Sequence, residues 1–168
     1  MGHLADQYLS VYQREHETTM RVLRAFPADR ADLRPHAKCK TARELAWVFV
    51  VERVLGTHVM HDQLAELMAS GGGSPPPAPE SWSEILDAIE ARHQEFRELI
   101  ASFSDEEMRA PVHFFAGPKQ IEPMPRNEVA WFLLHDQIHH RGQFSIYLRL
   151  ADGKVPSIYG PSADEPWM

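Results

Sequence analysis

The chain has 168 residues, 43% of them hydrophobic and 24% charged, a composition suited to one soluble domain over residues 1–168 and too apolar for a disordered segment. A formal charge of −7 with no basic cluster weighs against nucleic acid or an anionic membrane as partner, and leaves small molecules and protein surfaces. A single cysteine, Cys39, excludes an intrachain disulfide framework and fits a reducing cytoplasm, and the opening residues MGHLADQYLS read as neither a secretory signal nor a lipidation site.

Four long segments carry helical periodicity. The first runs from about Leu4 to Phe26, with Leu4, Tyr8, Val11, Val22 and Phe26 at helical spacings and Pro27 closing it. The second opens with TARE, Thr41 to Glu44, a capping box in which each side chain satisfies the other residue's free backbone N–H, and continues to about Ser70 on Leu45, Val48, Phe49, Leu55 and Val59. SGGGSPPPAPE, Ser70 to Glu80, then reads as a long surface connection. The third helix starts at a second box, SWSE from Ser81, and runs to Phe103. Ser104 to Met124 contains Pro111, Gly117, Pro118 and Pro123 around two short apolar runs, which fits a small hairpin or an irregular lid. The fourth helix follows MPRN and reaches about Ala151, and the tail is expected to be ordered coil packed through Tyr159 and Trp167.

Chemistry concentrates in the fourth helix. His135 and His139 are four apart, so a helix stacks them on one face within reach of one metal ion, whereas His140 points about 100° away and reads as an outer or surface group. Phe132, His135, His139 and Ile146 form one stripe, which places the pair toward the core. On the second helix Glu52 interrupts the apolar stripe, and a carboxylate there needs a partner. His135, His139 and Glu52 therefore make either a metal site or a hydrogen-bonded polar core, with His93, His58 and His61 as competing third ligands and His16 and His113 as surface or lining residues.

HDQIHHRGQFSIYLRL followed by VPSIYGPSADE resembles the C-terminal signature of the DinB/YfiT-like family, and KTARELAWVFVVE resembles its second-helix segment. The resemblance implies an all-α four-helix bundle in an up-down-down-up arrangement with an irregular segment before the last helix. It also implies a homodimer and a divalent metal, nickel or zinc, held by three histidines. Two of those ligands match His135 and His139; the third position is Val48, which has no donor atom. Either Glu52, one turn further on, completes the site, or metal binding is lost and a polar cluster remains. The activity implied is that of a metal-dependent thiol S-transferase or hydrolase acting on a small molecule such as a low-molecular-weight thiol. Glu52 would be ligand or base, and Arg141, Gln143 or Tyr147 would orient an anionic substrate. A metal-free, dimeric small-molecule-binding or stress-response protein is the alternative.

Overall fold

The computed structural model describes residues 2–71, 76–118 and 120–168. Among them the chain is mostly helical. Four long helices, α1 (His3–Arg24), α2 (Ala42–Met60), α4 (Trp82–Ser102) and α6 (Arg126–Leu150), are joined by two short ones, α3 (Leu64–Ala69) and α5 (Asp105–Arg109). One antiparallel hairpin pairs β1 (Pro111–Gly117) with β2 (Gln120–Pro125). No helix among the described residues is long and apolar enough to cross a membrane.

The helix starts follow their local chemistry. Thr41 and Glu44 form the expected reciprocal box at α2, while at α4 only half of it forms: Ser81 accepts from the Glu84 N–H without a return bond. A box not singled out in the sequence, Ser104 with Glu107, opens α5. The second helix is shorter than its periodicity suggests. It stops at Met60, because Asp62 adopts a φ of 58° and its carboxylate accepts the His113 N–H at 2.7 Å, tying the chain to β1 before α3 begins. Of the two shapes open to residues 104–124, the chain takes the hairpin, whose Val112 and Phe114 are buried on alternate positions. Residues 72–75 of the glycine-proline connection lie outside the described residues, and Pro76–Pro79 is coil.

α1 and α2 each pack against both α4 and α6. Tyr8 meets Trp131 and Glu15 meets Arg141, so α1 and α6 run in the same sense; Gln13 meets His93 and Arg24 meets Glu90, so α1 and α4 run in opposite senses. Gly56 brings α2 close to its neighbours: a Cβ there would stand 3.0 Å from Phe96 and 3.1 Å from Leu133.

The core is split along its length. One apolar cluster gathers Leu23, Phe49, Ile85, Phe144 and Leu148, and another gathers Tyr8, Tyr12, Phe96, Leu133 and Leu134. Burial of each such large side chain stabilises the fold by about 1.5–3 kcal/mol. Between the clusters every long helix contributes buried polar groups: Glu15 and His16 from α1, Glu52 and Arg53 from α2, His93 from α4, Gln137 and Arg141 from α6. This polar belt at mid-height is where the chemistry sits.

The tail differs from expectation. Tyr159 and Trp167 are each 65% exposed, so aromatic burial does not hold it. Hydrogen bonds do: Arg149 pairs with Asp164, which also accepts the Val155 N–H, and the Tyr159 hydroxyl donates to Glu15.

Candidate metal centre

Glu52, Asp136 and His140 meet where α2 crosses the polar belt beside α6, each offering a donor atom within 4.8 Å of the others. Glu52 Oε1 lies 3.0 Å from His140 Nε2, and Asp136 Oδ1 lies 3.7 Å from the same nitrogen. These separations match donors about 2.0–2.2 Å from one shared cation, as imidazole and carboxylate ligands of zinc are. Glu52 is 7% exposed, and neither of its carboxylate oxygens has a hydrogen-bond donor. The 3.0 Å approach of His140 is close but not aligned as a hydrogen bond.

Electrostatics reinforce the arrangement. Burial pushes the Glu52 carboxyl above the usual carboxylate range, with His140 opposing the rise and Asp136 adding to it. His140 is raised in turn by its contact with Glu52, against the effect of burial. The two groups together hold a proton more tightly than either alone. Gln143, one turn along α6, fixes the ring: its Oε1 lies 3.1 Å from His140 Nδ1, and its Nε2 lies 2.9 Å from His139 Nε2. A carbonyl at Nδ1 requires the proton there, which leaves Nε2 of the neutral ring as the lone pair facing the carboxylates.

The residues anticipated from sequence are distributed differently. His135 and His139 do not face the core; both are exposed, on a stripe with Phe132 and Ile146, which are 53% and 60% exposed. The buried stripe of α6 is instead Leu133, Leu134, Gln137, Arg141, Phe144 and Leu148, so Leu134 and Leu148 pack within the chain. Gln137 and Arg141 are polar members of that buried stripe. Arg141 is 1% exposed: it donates to Glu15 Oε2 at 2.7 Å and to the Tyr159 hydroxyl at 2.5 Å, on the α1 side of α6. That bond pattern occupies it in holding α1, α6 and the tail together rather than facing the triad. Tyr147 donates to the Lys40 carbonyl.

The other histidines stand elsewhere. His93 is buried between α1 and α4, stacked on His16 with ring centroids 3.6 Å apart, so His16 is a core residue rather than a surface one. Desolvation holds His16 down at about 3 and His93 at about 2, with Arg53 nearby adding to both. His58 contacts Gln63, His61 is exposed, and His113 binds Asp62 on the hairpin. Val48 is half-buried one turn before Glu52. Asp136 was missed by sequence reasoning although a signal existed: Asp136 and His140 have the same i, i+4 spacing as His135 and His139, shifted by one residue.

Comparison with known proteins agrees with this architecture. A profile described as the DinB family matches residues 1–167. The uncharacterized protein YrdA of Bacillus subtilis strain 168 is 24% identical over 166 residues, covering 98% of this chain and 93% of that protein. A DinB-like protein from Bacillus cereus ATCC 10987 superposes with a TM-score of 0.71 at 23% identity, over 92% of this chain and 97% of the other. A second, YjoA from Bacillus subtilis, superposes with a TM-score of 0.68 at 10% identity, over 88% and 94%.

Proposed function

Because the chain belongs to the DinB family, we propose that it is a cytoplasmic metal-dependent enzyme of the thiol S-transferase or hydrolase type, in which Glu52, Asp136 and His140 hold one divalent ion. The scaffold is a single-domain four-helix bundle in an up-down-down-up arrangement, a reading supported by the matched senses of α1 and α6 and the opposed senses of α1 and α4. The observation that carries the metal is Glu52: a buried carboxylate with no donor on either oxygen, 3.0 Å from an imidazole nitrogen. Two carboxylates and a neutral imidazole carry a charge of about −2, which a divalent cation cancels and which burial otherwise penalises.

Zinc fits a donor set of one nitrogen and two carboxylates, and the oxygens admit manganese better than a three-histidine site would; nickel suits the imidazole alone. A divalent ion there supplies Lewis-acid chemistry, stabilising a thiolate or the negative charge that develops on a substrate oxygen. The chain's own residues do the rest. Gln143 keeps His140 in the tautomer with Nε2 free, and Asp136, 42% exposed, borders the open approach for a small-molecule substrate.

Metal content of untagged protein tests this. Wild type and the His135→Ala/His139→Ala double variant are expected to carry one equivalent, and His140→Ala none. Loss in the double variant with retention in His140→Ala would return the ligands to the exposed pair. Absence of metal in all three favours the second reading, a metal-free small-molecule-binding or stress-response protein, for which the 3.0 Å contact between Glu52 and His140 is the supporting observation. The exposed Phe132 and Ile146 support a homodimer through α6: in an antiparallel crossing about His139, Phe132 of one copy falls opposite Ile146 of the other. Ile146→Asp should then sediment as a monomer, and unchanged sedimentation would remove this surface.

A further inference from the structure

The helix that carries Glu52, α2, also walls a cleft of about 380 Å³, within the range of small-molecule sites. Lys38, Lys40, Trp47, Val48, Val51 and Pro77 contribute to its lining. The lining reaches Val51, adjacent to Glu52, and Val48, one turn before it and about 6 Å away along the axis. The Trp47 indole N–H donates to the Pro76 carbonyl at 2.8 Å, which pins the proline segment to α2 and keeps the cleft formed.

Its charge is opposite to that of the chain. Lys38 and Lys40 are exposed at the rim and neither pairs with a carboxylate among the described residues. The acid beside them, Glu44, is already engaged: it accepts the Thr41 N–H at 2.7 Å and Arg34 at 3.3 Å. A positive rim over a wall of tryptophan, valine and proline discriminates for a ligand with an anionic end and an apolar body.

We propose that this cleft is the specificity site for the triad's substrate, and that it takes an aromatic or branched apolar molecule bearing a carboxylate or sulfonate, whose other end reaches Glu52 and His140. The inference rests on the proposed site, but the cleft can be probed without any metal.

Fluorescence titration with 1-anilinonaphthalene-8-sulfonate supplies the test, with the uncharged N-phenyl-1-naphthylamine as control. Wild type should bind the sulfonate at one site, more weakly as salt rises and better than the neutral analogue. Lys38→Glu/Lys40→Glu should weaken it by about tenfold, since reversing two exposed charges changes two contacts of modest strength each. Val48→Trp should fill the cleft and abolish binding; the lysine pair, being exposed, gives the same answer should that variant fold poorly. Equal binding by wild type and the lysine variant, equal binding of the neutral analogue, or no saturable binding overturns the proposal. Metal loss from the triad with probe binding intact marks the cleft as sound, and absence of metal in wild type with probe binding intact faults only the metal reading.

Discussion

Glu52→Gln separates the two states of the centre by stability alone. The substitution preserves shape and removes one charge from a side chain that is 7% exposed and lacks a hydrogen-bond donor. Without metal, the neutral amide should be more stable than the ionised carboxylate by about 1 kcal/mol or more, because a buried group without a donor costs that much and a charge costs more. The sign with pH follows from the two raised groups. A carboxyl whose folded pKa exceeds its unfolded value binds its proton more tightly when folded, so stability is lost as pH rises through the folded value. His140, also raised, contributes stability that is present below the ordinary imidazole pKa and lost as pH rises above its folded value. Metal-free wild type should therefore lose stability from this pair as pH rises above the ordinary carboxylate and then the ordinary imidazole value, more steeply than Glu52→Gln. Zinc at a hundredfold excess over its Kd adds about 2.7 kcal/mol, or roughly 5–11 °C in Tm for a domain of this size. Differential scanning calorimetry with and without zinc, at pH 6 and 8, reads all of this. A wild-type Tm indifferent to zinc, or an equal zinc shift in Glu52→Gln, would refute the placement of the ion.

The remaining predictions concern the belt. Arg141→Met leaves Glu15 buried without its counter-charge, with only the Tyr159 hydroxyl donating to it, so urea unfolding should show a loss of about 3–5 kcal/mol, and Glu15→Gln/Arg141→Met should recover part of it. His16 and His93 are held far below the ordinary imidazole pKa, so the unfolded chain takes up protons that the folded one refuses. Stability should fall as pH drops below about 6.5, by up to about 1.4 kcal/mol per pH unit for each ring. Replacing His93 by Phe, which can keep the stack on His16, should move the acid-unfolding midpoint to lower pH, as followed by circular dichroism.

The long helices were legible because their signals are local. Thr41 with Glu44 caps α2 by a contact three residues apart, and Leu45, Phe49 and Val59 repeat on a face that is in fact buried. Glu52 was legible for the same reason: a carboxylate amid an apolar stripe is an anomaly wherever the helix packs. The faces of α6 were not. That helix carries large apolar residues on both sides, Phe132 and Ile146 outward, Leu133 and Phe144 inward, so periodicity alone could not choose between stripes one residue apart. What resolved it lies over a hundred residues away in sequence. Glu15 neutralises Arg141 and lets an arginine face the core, and this turns His140 and Asp136 toward Glu52 while His135 and His139 face solvent. The sequence by itself determined the four long helices, the cap of α2 and the presence of a carboxylate needing a partner. Which histidine meets that carboxylate was decided only in the tertiary structure, because rotation of a helix about its own axis is set by pairing between elements that no local pattern records.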